Sequence, residues 1–334
     1  MTDALRKVLP DPFIAVLLLA VAAASIVPAS GAVSVVIGNV TTAAIVLLFF
    51  LHGVRLPRES LAAALRHWKL HLTILGSTYV FIPLVGLTLE ALLPGLLPQP
   101  LWLGILFLCA LPSTVQSSIA FTSMAGGNVA GAVASAAASN VLGVVLTPLI
   151  VGLMIQAQDA SLSFAGVWKI VLQLLVPFTI GHLCRPLLGA WASRSRRLLS
   201  LTDRGTIVLA VYSAFSAAVI AGIWRQLAPA RLLLLLAVCG FMLGVILLAV
   251  RYGARLMRFS REDEIAIVFC GSQKSLVSGV PMARVLLAGP DVGAALVPLM
   301  IFHQLQLMVA AWLAQRYRSA ADPRAEPELT RNTR

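Results

Sequence analysis

Apolar residues run along this chain in long blocks, each closed by a short polar or basic segment, and the spacing of those segments predicts ten membrane-crossing helices. A helix needs about 20 apolar residues to cross roughly 30 Å of hydrocarbon, at about 1.5 Å per residue. The blocks run from Phe13 to Val27, Val33 to Leu51, Leu70 to Leu89, Leu101 to Ser123, Asn128 to Ile155, Val167 to Leu183, Thr206 to Ile223, Leu232 to Val250, Ile265 to Leu287 and Val292 to Ala314. The first block leads at once into a second and shows no convincing small-residue cleavage site, so it reads as a span rather than a signal peptide. The segment 319–334 is polar, contains Pro323 and Pro327, and reads as a disordered cytoplasmic tail.

Composition agrees with this pattern. Of the 334 residues, 59% are hydrophobic and 11% charged, with a mean hydropathy of +0.94. Soluble domains carry roughly 25% charged residues, so this chain has too few charges to cover a water-exposed globule. Soluble enzymes and free nucleic-acid-binding domains are excluded, and the lipid bilayer is the first partner. The formal net charge of +12 reports orientation. Ten spans put both termini on one side, and of 25 Lys and Arg residues 20 fall on that side. Lys169, Arg225, Arg231 and Arg284 fall on the other, and Lys274 alone lies inside a span. The positive-inside rule makes the rich side cytoplasmic, which predicts a multi-pass inner (plasma) membrane protein with both termini in the cytoplasm. Cys109, Cys184, Cys239 and Cys270 sit in apolar surroundings without a CxxC pair and read as small buried residues.

Ten spans divide into two halves of five, and an odd number per half inserts the second half upside down relative to the first. The expected fold is an all-α polytopic bundle of two inverted five-helix repeats, 1–158 and 159–318. The fourth and ninth spans, equivalent in the two halves, are the ones interrupted by polar and helix-breaking residues. The fourth reads Leu111-Pro112-Ser113-Thr114-Val115-Gln116-Ser117-Ser118; the ninth reads Gly271-Ser272-Gln273-Lys274-Ser275, then Ser278-Gly279-Val280-Pro281. Unwound backbone at bilayer depth is tolerated only where protein or a watery cavity satisfies it. Two breaks at matching places predict a crossover of two discontinuous helices and a central binding site. The alternative is that Pro112 and Pro281 kink ordinary helices whose serines bond back one turn.

Lys274 is the most informative residue in the chain. A lysine at mid-membrane costs about 2.5–3.5 kcal/mol on insertion scales, and no carboxylate lies well inside a span to pair with it: Glu90 ends the third, and Glu262, Asp263 and Glu264 open the ninth. Either Lys274 is held by helix-terminal carbonyls of the opposing break, or it meets an anionic substrate or occupies a cation site. His303, Gln304 and Gln306 interrupt the tenth span and face either the cavity or neighbouring helices. Asn128 and Asn140 lie in a small-residue run that chiefly permits close helix packing, and Thr147-Pro148 bends that helix near its end.

The segments LPSTVQSSIAFTSMAGGNVAGAVASAAASNVLGVVLTP (Leu111 to Pro148), FCGSQKSLVSGVPMA (Phe269 to Ala283) and VPLMIFHQLQLM (Val297 to Met308) resemble the bile acid:sodium symporter-like family, in its branch related to solute carrier family 10 member 7. The resemblance runs from Asp11-Pro12-Phe13 to Arg318. It implies a panel domain of helices 1, 2, 6 and 7 and a core domain of helices 3–5 and 8–10, with the crossing broken helices fourth and ninth. It also implies where sodium ligands would stand. The ninth-helix glutamate of the sodium-coupled members falls on Phe269 and its asparagine on Lys274, while two fifth-helix hydroxyl ligands fall on Ala132 and Ala136. Ser118 and Gln273 keep ligand-capable chemistry, and Thr78, five residues before Pro83, stands where a third-helix glutamine would.

The implied function is a secondary transporter moving a small organic anion by alternating access. Its binding region is expected to draw on Thr78, Ser113, Thr114, Gln116, Ser117, Ser118, Asn128, Ser272, Gln273, Lys274, Ser275 and His303. No cofactor is expected. The coupling ion is sodium, near Ser118 and Gln273, or a proton; alternatively the Lys274 ammonium stands in for a bound cation and leaves the carrier uncoupled. No nucleotide-binding loop, metal-ligand cluster or Ser/His/Asp set suggests an enzyme. A membrane regulator of ion homeostasis without solute transport is the reading from another class, and a proton-linked cation antiporter is weakened by the missing intramembrane carboxylate.

Overall fold

A computed structural model describes residues 12–55, 67–156, 164–222, 229–287 and 292–320, and these residues form an all-helical bundle. In chain order the helices are α1 (Pro12–Ile26), α2 (Gly31–Arg55), α3 (Trp68–Leu92), α4 (Gln99–Ala110), α5 (Gln116–Met124), α6 (Val129–Gln156), α7 (Phe164–Leu183), α8 (Arg185–Arg194), α9 (Arg196–Ile220), α10 (Pro229–Leu256), α11 (Arg261–Ser272), α12 (Leu276–Leu286) and α13 (Val292–Ser319). Every apolar block holds helix. Seven spans among the described residues are long and apolar enough to cross a membrane, and shorter apolar helices occupy Ala15–Ile26, Gln99–Ala110 and Leu174–Leu183. The boundary at residue 158 and the expected tail from residue 321 onward lie outside the described residues.

Three features depart from the periodicity. The basic connection after the sixth block contains a separate helix, α8, with a proline in its first turn; Ala192 buries against Leu51, Val54 and Leu199 while Leu187 and Trp191 stay exposed. Helix α9 begins ten residues before the apolar block does, at Arg196. Pro281 does not interrupt the ninth span, because α12 is already helical from Leu276 and carries Pro281 inside it.

The breaks fall at residues 111–115 and 273–275. Pro112 removes an N–H and biases the preceding residue away from helix, and Leu111 is extended at φ −70°, ψ 154°. The second break contains no proline. Gln273 and Ser275 are extended there, held by side chains from elsewhere in the fold.

Helix α3 carries a wider turn over Ser77–Phe81, in which the Ile82 N–H reaches the Ser77 carbonyl five residues back. Continuing that register, the Thr78 carbonyl would look for an N–H at position 83. Pro83 has none, so the Thr78 carbonyl is left to another donor.

The helices pack in two groups. In one, α1 lies on α9, and α2 lies on α7, α8 and α9. Helices α2 and α7 cross in backbone contact, since a Cβ at Gly53 would strike the Phe178 carbonyl and one at Gly181 the Phe50 carbonyl. In the other, α4 and α10 lie on α13, and α11 lies on α3, α5, α6 and α10. Helix α9 meets this second group at α12 and α13, and α7 meets it at α6 and, less extensively, at α12. Arg55 pairs with Asp203 within the first group, while Arg251 and Arg255 pair with Glu264 within the second.

Candidate functional site

The two breaks lie against each other, joined by a main-chain bond from the Ser275 N–H to the Pro112 carbonyl at 2.9 Å. A helix end leaves its last carbonyls without intrahelical donors, and an unmet buried carbonyl costs about 1–3 kcal/mol. The crossing can therefore be read as an account of those carbonyls.

At the end of α4 the donor is charged. Lys274 is 0% exposed, and its Nζ donates to the carbonyls of Cys109 at 2.7 Å, Leu111 at 2.8 Å and Thr78 at 2.7 Å. The third of these is the carbonyl released by Pro83. An ammonium has three N–H donors and no acceptor, so all three are used. The Thr147 hydroxyl takes the Ala110 carbonyl between them at 2.8 Å, and the Tyr79 ring lies 6.0 Å from Nζ.

At the end of α11 the donors are neutral hydroxyls. Ser272 bonds back to the Val268 carbonyl, Ser118 reaches that of Phe269, Ser113 that of Cys270 and Ser77 that of Gly271, at 2.6 to 3.2 Å. Gln306 of α13 then clamps the break itself. Its Oε1 accepts the Lys274 N–H and its Nε2 donates to the Lys274 carbonyl, both at 2.8 Å. Nδ1 of His303 lies 2.9 Å from the same Nε2. The Ser275 hydroxyl accepts the Ser278 N–H and caps α12.

Beside the carbonyls sits a cluster of side-chain oxygens. Thr114, Ser117 and Ser118 hydroxyls approach Gln273 Oε1 at 2.6, 2.8 and 3.1 Å, and Thr114 lies 2.6 and 2.7 Å from Ser118 and Ser117. Each hydroxyl has one proton, so the short contacts outnumber the protons available to fill them. Gln273 Nε2 is buried with no partner among the described residues. The candidate sodium ligands Ser118 and Gln273 are thus neighbours in a neutral oxygen set, with no carboxylate bonded to it among the described residues. This donor set suits a hard monovalent ion better than a divalent one, which is usually bound through carboxylates.

Among the predicted residues, Thr78, Ser113, Thr114, Ser117, Ser118, Ser272, Gln273, Lys274, Ser275 and His303 meet at or next to the crossing. Thr78 does so through its carbonyl, its hydroxyl bonding back to Ile74. Gln116 is exposed at the start of α5. Asn128 lies elsewhere: it caps α6 through the Gly131 N–H and bonds to Asp263 at the start of α11. Phe269, Ala132 and Ala136, the positions matched to sodium ligands, are buried. Asn140, read from sequence as a packing residue, instead joins the first break to the first turn of α12, donating to the Ser113 carbonyl and accepting from Ser278. An amide in a run of alanines was the available signal.

Comparison with known proteins gives a consistent picture. The model of the SBF-like CPA transporter family matches residues 11–319. An uncharacterized protein of Pseudomonas aeruginosa is 50% identical over 320 residues, covering 96% of each chain. The YfeH protein of Escherichia coli is 48% identical over 308 residues, 92% of this chain and 93% of the other. Sodium/bile acid cotransporter 7 of Danio rerio is 28% identical over 282 residues, 82% and 83% of the two chains.

Proposed function

The chain belongs to the SBF-like CPA transporter family, and from that premise we propose that it is a secondary carrier moving a small organic anion across the membrane by alternating access. Transport rather than enzymatic chemistry follows from the family. The observation that carries the reading further is the meeting of two interrupted helices, with their unwound segments buried against each other in a multi-pass membrane protein. Such segments form the binding centre of many secondary transporters.

On this reading the ten spans are two inverted five-helix repeats, 1–158 and 159–318, with both termini cytoplasmic. Spans 1, 2, 6 and 7 form the panel, and spans 3–5 and 8–10 the core. The two packing groups support that division, as do the ion pairs kept inside each group. Relative motion of the groups would break the contacts of α9 with α12 and α13 and of α7 with α6 and α12, and leave the crossing intact. Any coupling sodium would be held by Thr114, Ser117, Ser118, Gln273 and the Phe269 carbonyl, where it would supply positive charge beside the breaks.

The test is counterflow in proteoliposomes with a panel of labelled organic anions. Exchange of at least one anion is expected, and it should persist when choline replaces sodium, because Lys274 already supplies a cation at the crossing. Absence of exchange for every anion would favour the regulator; strict sodium dependence would move the coupling to the hydroxyl cluster.

A further inference from the structure

We propose that the carbonyls of Thr78, Cys109 and Leu111 form a monovalent-cation site whose resident ion is the tethered ammonium of Lys274, and that removing the amine opens this site to a free monovalent cation. The geometry has three parts. The acceptors are three main-chain carbonyls, one from α3, one from the last turn of α4 and one from the break that follows it, all 2.7 or 2.8 Å from one nitrogen. Three short contacts match the three N–H donors of an ammonium, whereas a neutral amine has two and would turn its lone pair to the third carbonyl. The backbone features that expose these carbonyls lie outside the lysine side chain. Pro83 and the wide turn present the Thr78 carbonyl, while Pro112 ends α4 and frees those of Cys109 and Leu111.

Nothing in the cage is charged except its occupant. A divalent ion usually takes six or more oxygens, several from carboxylates, whereas methylammonium reproduces the three N–H donors already present and ammonium offers one more. Ammonium and methylammonium are therefore the expected replacements, with potassium and sodium weaker because they lose the directed N–H bonds. The occupancy stands on this geometry alone. Its consequence, that transport needs no free cation at this position, rests on the carrier reading above.

The experiment is thermal unfolding of purified wild type, Lys274→Ala and Lys274→Met in choline, tetramethylammonium, ammonium, methylammonium, potassium and sodium chlorides at equal ionic strength. The wild-type midpoint should not depend on the cation. Lys274→Ala should unfold about 5–10 °C lower in choline, since three carbonyls lose their donors, and should recover at least half of that loss, saturably, in ammonium or methylammonium. Tetramethylammonium, equally charged but without N–H groups, should do nothing. Lys274→Met fills most of the lysine volume and should stay destabilised in every salt. The proposal fails if Lys274→Met matches wild type, or if Lys274→Ala does not separate ammonium from choline. Where Lys274→Ala is not recovered folded in choline, purification with ammonium present throughout decides instead: folded protein sustains the site, and its continued absence overturns it. Counterflow by wild type, run alongside, judges the carrier reading separately: its failure leaves the salt series to decide the site.

Discussion

The two breaks solve the same problem by different means. The first is dictated locally: Pro112 stops α4, and one ammonium from the other break collects two of the exposed carbonyls. The second has no proline and depends on a row of hydroxyls, a cap at Ser275 and the amide of Gln306. Charge is concentrated on one side of the crossing and absent from the other. The first segment has two supports, its own proline and its outside partners, whereas the second is held chiefly from outside.

The strongest challenge to that contrast is Gln306→Ala. It strips partners from both main-chain groups of Lys274, and we expect about 2–4 kcal/mol of destabilisation, read as a lower unfolding midpoint in detergent. Ser113→Ala should come next, at about 1–3 kcal/mol, because it leaves the Cys270 carbonyl without its 2.6 Å donor. Pro112→Ala tests the other side: the Asn140 bond to Ser113 and the Lys274 contacts remain, so the loss should stay near or below about 1 kcal/mol. A Pro112→Ala loss exceeding that of Gln306→Ala would reverse the ranking. Smallest is Pro83→Ala. It returns an N–H that can share the Thr78 carbonyl with Lys274, and a carbonyl has two lone pairs, so a change under about 1 kcal/mol is expected in the same assay.

Sequence made the first break legible because proline is a local instruction. It also exposed Lys274, since a lone charge in an apolar block has to be accounted for. The second break was visible only as a polar interruption, and Pro281 pointed to the wrong residues because α12 starts at Leu276 and continues through the proline in its interior. The clamp by Gln306 and the bridge by Asn140 depend on which helix faces stand opposite one another, and spacing along the chain does not encode that. Asn128 looked equivalent to Asn140 in the same small-residue run, yet it sits at the corner before α6, bonded to Asp263. Thr78, matched to a third-helix glutamine of the family, contributes its main-chain carbonyl. The informative neighbour was Pro83, whose missing N–H sets that carbonyl free.

The acceptors around Lys274 are peptide oxygens, which every amino acid supplies. Drift at positions 78, 109 and 111 therefore leaves the chemistry of the cage unchanged so long as the helices end where they do. Heritable variation can reach it chiefly through the two prolines that expose the oxygens and the single codon that fills them. A lineage changing its dependence on ions would find position 274 the shortest route.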